Sequence, residues 1–132
     1  MRRIYLVIVL GLVFILGCKN SFMVKDIQGT YVVKYPYGTE LLVLKSGGIY
    51  EQLFAFNGET LRTINSGNWE IRNIDENQLV LHEPVIVDDG FGNPTNLEKK
   101  KNGIWPLRIK KSITGKIHFP INEDLDFKFK VR

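Results

Sequence analysis

The sequence predicts an all-β protein, a single small antiparallel meander closed into a barrel of about eight strands, after a separate apolar N-terminal segment. Three observations support this prediction. Clusters of Gly, Pro, Asn, Asp or Ser recur roughly every eight to twelve residues beyond residue 26. The segments between them are rich in β-branched and aromatic residues, often alternating with polar ones. No window after residue 18 shows a sustained helical stripe of apolar residues.

Residues 1–17 predict a secretory signal helix. Arg2 and Arg3 make a positive start, and Ile4–Gly17 contains no polar side-chain group except the hydroxyl of Tyr5. At about 1.5 Å per residue this run reaches roughly 21 Å as a helix, which is short of a hydrocarbon core of about 30 Å. A short apolar run behind two positive charges indicates a signal peptide rather than a membrane span. A buried core helix or a short anchor is the alternative.

Cys18, which ends the apolar run, is the only cysteine of the chain and therefore cannot form an internal disulfide. Together with the preceding Ile15–Gly17 it resembles the lipobox of bacterial lipoproteins, although Leu16 stands where a small residue is more usual. The resemblance implies that diacylglycerol is joined to the Cys18 thiol, that the signal is cut before this residue, and that an acyl chain such as palmitate is added to its amine.

Such acyl chains would anchor the protein to a membrane. Each buried methylene contributes about 0.8 kcal/mol, so one chain holds marginally and two or three hold permanently. The next residue is Lys19 rather than the aspartate that retains many lipoproteins at the inner membrane. By this resemblance we expect a lipid-anchored protein of the bacterial cell envelope, with the outer membrane favoured if the source is Gram-negative.

Four strands are predicted in the first half of the remaining chain: Thr30–Tyr35, Glu40–Lys45, Ile49–Phe56 and Leu61–Asn65. In the first of them Tyr31, Val33 and Tyr35 share one face, as in a half-buried strand. By contrast Leu41–Leu44 is apolar throughout, which is typical of a strand covered on both sides. The intervening "YPYG", "SGG" and "NGE" supply turn geometry.

Five strands are predicted in the second half: Asn68–Arg72, Gln78–His82, Trp105–Lys111, Lys116–Phe119 and Phe127–Val131. Trp69 and Ile71 alternate with polar residues in "NWEIR". The turns are predicted at "SG", "DEN", "DDGFGNPTN", "SITG" and "NEDLD".

The chain also shows an ordered series of motifs over residues 29–52 and 66–81: G-x-Y, L-x-L, a glycine turn with a tyrosine, G-x-W and a closing L-x-L. This series resembles the lipocalin-like, calycin-type meander domains of small bacterial envelope lipoproteins, and residues 115–130 are similar to their last hairpin. The resemblance implies a lipocalin-like β-barrel domain over residues 27–132, joined to Cys18 by a tether over residues 18–26. Related envelope-stress lipoproteins carry a Cys-x-x-Cys motif that this chain lacks, so their copper or redox associations do not transfer.

An aromatic set on the predicted inward faces is the candidate lining of a ligand cavity: Tyr31, Tyr50, Phe54, Phe56 and Trp69. The same residues equally suit a core, because the interior of an eight-stranded barrel is either filled by side chains or holds one small ligand. A domain of about 105 residues is short for a roomy cavity, which favours the filled core.

No catalytic residue, metal ligand or cofactor is predicted. His82 and His118 each lie at a predicted strand end two residues before a proline, and two surface histidines are expected. The alternative is that they share one rim and form a weak site with Glu83. No G-x-S-x-G motif occurs. The serines in turns suit backbone capping better than catalysis: Ser46, Ser66 and Ser112.

The loop "DDGFGNPTN" is the richest in polar residues. Asp88, Asp89, Asn93 and Asn96 offer oxygens that suit calcium, but their spacing does not match an EF-hand, and a long hairpin turn explains them equally well. Phe91 at its centre is flanked by glycines and is the candidate contact residue for a partner or for lipid.

A cationic stretch, "EKKKNG", is followed by three more lysines, Lys110, Lys111 and Lys116. These could meet acidic lipid head groups. Solvated turns and protected sheet edges are the more favoured interpretation.

The charge balance gives no reason to expect a nucleic-acid partner. Of the 18 basic residues, Arg2 and Arg3 lie in the signal, which leaves 16 against 14 acidic residues. We therefore expect a membrane-anchored, non-enzymatic envelope lipoprotein that acts as an interaction or structural module, with an envelope protein as its partner. The alternative is a small apolar-ligand-binding lipocalin-like protein, and an envelope hydrolase is the least expected function.

Overall fold

The computed structural model describes residues 22–73, 76–98 and 102–132, so the predicted signal helix and Cys18 lie outside the described residues. Helix α1 spans Val24–Ile27, and a 3₁₀ turn spans Ser46–Gly48. The strands of the described chain are β1 (Gly29–Tyr35), β2 (Gly38–Lys45), β3 (Ile49–Phe56), β4 (Arg62–Asn73), β5 (Asn77–His82), β6 (Ile104–Arg108), β7 (Lys110–Lys111), β8 (Ile117–Asn122) and β9 (Phe127–Val131). The all-β prediction is confirmed.

These strands form one antiparallel meander that is nearly closed into a barrel. Their order in the sheet is β6-β5-β4-β3-β2-β1-β9-β8-β7, so the two outer strands are β6 and β7. In the sequence only Ile109 separates these two strands, and its N–H donates to the carbonyl of Asn77 at 2.9 Å. The segment 104–111 therefore pairs with β5 in its first half and with β8 in its second. The segment predicted as one strand, Trp105–Lys111, is thus divided between β6 and β7, and it joins the two edges of the sheet.

The prediction of two strands with a turn at Ser66-Gly67 is wrong, because β4 runs unbroken through both residues. Gly67 faces the ring of Tyr50: a Cβ built at this glycine would lie 2.8 Å from Tyr50 Cε1 and 2.8 Å from the carbonyl oxygen of His82. Glycine is thus needed here for close packing rather than for a turn.

The barrel interior is filled mainly by aromatic and aliphatic side chains from every strand from β1 to β6, and from β8 and β9. Tyr31 on β1 contacts Phe119 on β8 with ring centroids 4.5 Å apart, which ties the first strand to the last hairpin. Each fully buried side chain of this size contributes roughly 1.5–3 kcal/mol, so this core is the main source of stability.

The strand directions give the barrel two ends. The helix end comprises α1, the turn Ser46–Gly48 and the turn 112–115. The loop end comprises the turns 36–37, 57–61 and 123–126 together with the connection between β5 and β6. Successive strands run in opposite directions, so each end collects alternate connections.

Helix α1 covers the last three residues of the predicted tether and the first residue of the predicted barrel domain, Ile27. The N–H of Met23 donates to Asp26 Oδ2 at 3.0 Å, and Ile27 is fully buried beneath the barrel, where its carbonyl accepts a hydrogen bond from Tyr31 Oη at 2.8 Å. Four residues are too few to produce a periodic pattern, which is why the sequence does not predict this helix. In the part of the chain that the structure describes, no helix is long and apolar enough to cross a membrane.

Candidate functional site

A cluster of polar side chains lies inside the barrel, on three neighbouring strands. Glu40 on β2 and Gln52 on β3 have no exposed surface, and Asn65 on β4 is also buried. Gln52 is paired directly with Asn65, and Glu40 lies two residues from the partner of Gln52 on β2, so the three side chains are direct or diagonal neighbours. Buried polar groups are costly unless they are hydrogen-bonded, so their partners decide what the cluster does.

The Glu40 carboxyl accepts two hydrogen bonds. Tyr35 Oη donates to its Oε2 at 2.9 Å, and Gln52 Nε2 donates to its Oε1 at 3.0 Å. Burial raises the pKa of Glu40 to about 7, because the interior solvates a carboxylate poorly and the two hydrogen bonds offset only part of that effect. The pKa of Tyr35 is also raised, first by burial and then by the neighbouring Glu40.

Gln52 attaches the connection between β5 and β6 to the inside of the barrel. Its Nε2 donates to the carbonyl of Val85 at 2.9 Å, and its Oε1 accepts a hydrogen bond from the N–H of Val85 at 2.9 Å. Val85 and Val87 are both buried, so this segment packs into the core. The side-chain amide of Gln52 therefore binds both backbone groups of Val85, as the backbone of a neighbouring strand would in a sheet.

Asn65 completes the network. Its Nδ2 lies 3.0 Å from Tyr50 Oη, from Gln52 Oε1 and from the carbonyl oxygen of Glu83, and Tyr50 Oη donates to the carbonyl of His82 at 2.7 Å. Within the described residues no buried side-chain nitrogen or oxygen lacks a hydrogen-bond partner. A satisfied network of this kind makes the interior specific and rigid.

Of the predicted cavity-lining residues, the structure buries Tyr31, Tyr50, Phe54 and Trp69, and leaves Phe56 half-buried. Phe54 and Phe56 meet edge to face with centroids 4.9 Å apart. Four clefts, of about 190 to 570 Å³, open at the surface, and none of these four is lined by the aromatic set. Tyr31, Tyr50, Phe54 and Trp69 belong to the hydrophobic core, and Phe56 packs against it.

Phe91 is 83% exposed at the loop end, on a turn held by two aspartates. Asp88 Oδ1 accepts hydrogen bonds from the N–H groups of Gly90 and Gly92 at 2.8 and 3.2 Å. Asp89 Oδ1 accepts from the N–H of Phe91 at 2.8 Å, and this hydrogen bond is the first cause of the lowered pKa of Asp89. Hydrogen bonds within the turn thus engage carboxylate oxygens of both aspartates that the sequence offers to calcium.

Two further contacts hold this turn on the barrel. Tyr37 Oη donates to Asp88 Oδ2 at 2.8 Å, and Asn122 Nδ2 donates to the carbonyl of Gly90 at 2.8 Å. Leu125, on the neighbouring turn, lies beside Gly92 and is itself partly exposed. Phe91 therefore projects from a supported platform made by two connections of the loop end.

The two histidines are not brought together, so the alternative of a shared site at one rim is wrong. His82 is paired with Ile104 and His118 with Lys110, at opposite ends of the segment 104–111. His82 Nε2 lies 3.3 Å from Glu70 Oε1 at the surface. Because strand direction, and not the proline that follows, sets the position of each histidine, the sequence pattern could not distinguish the two ends.

Of the serines that the sequence places in turns, Ser112 caps its turn, whereas Ser66 lies within β4 and not in a turn. Ser112 Oγ accepts a hydrogen bond from the N–H of Lys116 at 3.1 Å, as expected for a turn serine. Among the residues that the structure describes, no group of three or more His, Cys, Asp or Glu side chains is placed to hold a metal ion.

Comparison of the chain with protein-family models, with curated proteins and with solved structures found no match. The function is therefore argued from the geometry and from the sequence motifs.

Proposed function

We propose that this protein is a lipid-anchored bacterial envelope lipoprotein whose lipocalin-like barrel is a non-enzymatic interaction module with the Phe91 turn as its contact surface. The observation that supports this most directly is the 83% exposure of Phe91 on a turn that Asp88 and Asp89 hold by hydrogen bonds. A large apolar side chain on a rigid support, exposed to solvent, has the character of an interface anchor.

The proposed anchor rests on the sequence. The positive start, the short apolar run and the lipobox around Cys18 agree with one another. Cys18 also lies only four residues before Phe22, the first described residue, so an acylated Cys18 would hold the barrel close to a bilayer.

The filled interior favours a function of the surface over a carrier function. A ligand inside the barrel would have to displace buried rings such as Tyr31 or Phe54, or open the hydrogen bonds between Glu40 and Gln52. Either change exposes well-packed surface or leaves buried polar groups unpaired, and each costs a few kcal/mol.

Burial of Phe91 against a partner would contribute roughly 1.5–3 kcal/mol, which corresponds to a tenfold or greater change in affinity. The turn is already ordered by its hydrogen bonds to Asp88 and Asp89, so little conformational entropy is lost on binding.

Photo-crosslinking in native membranes tests the contact. Benzoylphenylalanine in place of Phe91 should capture a defined partner, whereas the same group in place of Glu59, an exposed residue on a neighbouring turn of the loop end, should not. The captured protein, once purified, should bind the full chain, and Phe91→Ser should weaken this binding roughly tenfold or more while Glu59→Ser leaves it unchanged. Equal capture at both positions, or unchanged binding by Phe91→Ser, would contradict the proposed contact.

The anchor has a separate test. Cys18→Ser should abolish the uptake of labelled palmitate and leave an unprocessed precursor, because the acceptor thiol is gone. Normal cleavage and labelling of this variant, measured by mass spectrometry and fluorography, would overturn the assignment of Cys18.

A further inference from the structure

The helix end of the barrel exposes apolar side chains on two connections that are neighbours in space. Met23 and Val24 on the N-terminal side are 61% and 47% exposed, and Ile113 at the tip of the turn 112–115 is fully exposed. A cleft of about 570 Å³ has Phe22 on one side and Gly115 on the other, which places α1 and this turn around the same opening.

Cationic side chains surround these apolar residues. Lys25 lies in α1, and Lys111 and Lys116 flank the turn that carries Ile113. None of these three lysines forms an ion pair with a carboxylate of the described residues. Apolar side chains with free lysines around them match the two layers of a membrane surface, acyl chains below and anionic head groups above.

The loop end is acidic overall. Its connections over residues 57–61, 83–103 and 123–126 contain eight carboxylates and three lysines, Lys99–Lys101. The helix end, counted over α1, residues 74–76 that connect β4 to β5, and residues 111–116, has three lysines and three carboxylates and is neutral overall. An anionic bilayer would therefore repel the loop end more strongly than the helix end, so the charge distribution favours one orientation of the barrel.

Chain length favours the same orientation. The four peptide units from Cys18 to Phe22 span at most about 14 Å, whereas a strand of eight residues such as β2 is about 26 Å long. A lipid on Cys18 therefore keeps the helix end near the bilayer and, with the barrel upright, places Phe91 on the far side.

We propose that the helix end docks on an anionic lipid surface, with Met23, Val24 and Ile113 entering the interface and the three lysines at the phosphate groups. This inference rests on the lipid anchor of the proposed function. It deepens that function, because it assigns one end of the barrel to the membrane and leaves the Phe91 turn free for a partner.

The test uses the full, processed protein in vesicles of phosphatidylethanolamine and phosphatidylglycerol. Acylation consumes the only native thiol, so Ile113→Cys or Phe91→Cys gives a single position for an environment-sensitive fluorophore. Both side chains are exposed, so neither replacement removes core packing, and the emission of the buried Trp69 reports folding. The label at position 113 should shift to the blue and lose most of its emission to acyl-chain spin labels, whereas the label at position 91 should show neither change.

Two further variants test the charge. Lys111→Glu combined with Lys116→Glu should reduce the quenching of a label at position 113, and Lys34→Glu, an exposed lysine on β1, should not. Quenching at position 91 instead of 113, or at neither position, in a protein that is acylated and bound to the vesicles would overturn the docking of the helix end and leave the anchor intact. A protein with no acyl mass that stays in the aqueous phase would overturn the proposed anchor, and the docking with it.

Discussion

Replacing Glu40 by Gln should remove most of the pH dependence of stability between pH 4.5 and about 7. The wild-type carboxyl is fully buried and its pKa is raised from 4.5 to about 7, chiefly by burial. Glutamine has the same shape, and its amide can keep both contacts: the oxygen accepts from Gln52 Nε2, and the new N–H group donates to Tyr35 Oη. The variant therefore changes the charge and little else.

The size of the effect follows from proton binding in the two states. Below pH 4.5 Glu40 is protonated in both the folded and the unfolded protein, and its neutral form is fully compatible with the core. Between pH 4.5 and about 7 the unfolded chain has lost the proton that the folded protein retains. The free energy of unfolding then falls as pH rises, by 1.36 kcal/mol for each pH unit at most. Over the whole window the free energy of unfolding falls by about 3 kcal/mol, and above the pKa of Glu40 in the folded protein this fall is complete.

Urea unfolding followed by the emission of Trp69 and Trp105 measures this at a series of pH values across the window. Wild-type protein should lose about 3 kcal/mol from the acidic to the alkaline side, and Glu40→Gln should lose little, so that the variant is the more stable protein at alkaline pH. Glu59→Gln, which removes an exposed carboxylate, is the matched control and should follow the wild type.

Two outcomes would refute the reasoning. Parallel curves for wild type and Glu40→Gln would mean that the folded protein binds no extra proton at Glu40. A variant that is several kcal/mol less stable than wild type at every pH would mean that the carboxylate, not the neutral acid, is the form that the network requires.

Two other predictions concern the interior. Gly67→Ala should lower the free energy of unfolding by roughly 1–3 kcal/mol, because the new Cβ would lie 2.8 Å from Tyr50. Urea unfolding measures this change, with Ser66→Ala at the adjacent exposed position as the control, and an unchanged free energy would contradict the close packing. Gln52→Leu should lower the free energy of unfolding by roughly 2–4 kcal/mol and speed the hydrogen exchange of the Val85 amide, because the N–H and carbonyl of Val85 lose their partners. Unchanged exchange at Val85 would show that another group holds this segment.

Much of the strand pattern could be predicted, and the errors have identifiable causes. The predicted Ile49–Phe56 coincides with β3, because its alternating side chains meet a filled interior on one face. The false turn at Gly67 arises because a glycine required by a ring on the next strand has the same local pattern as a turn glycine. The sequence does not predict helix α1, because it is a single turn whose one buried residue, Ile27, is too little for a periodic pattern.

Little in the sequence indicates the buried network of Glu40, Gln52 and Asn65. Gln52 shares a face with apolar residues, which was a faint signal of a polar group inside the barrel. Glu40 follows a turn and Asn65 precedes one of the predicted breaks, so both suited the surface equally well. What buries them is pairing across β2, β3 and β4, together with Val85 arriving from the connection to β6.

By itself the sequence determined the all-β class, the positions of most strands and the exposed character of Phe91 between two glycines, and it carries the prediction of a signal and lipobox around Cys18. These follow from local patterns, since alternation, turn residues and apolar runs act over a few neighbours. Only the tertiary structure decided that Ile109 joins the two edges of the sheet, that Glu40 lies inside, and that Phe91 and Ile113 point from opposite ends. Each of these depends on strand register and barrel closure, which bring together residues that are distant in the chain and leave no mark on the sequence around any one of them.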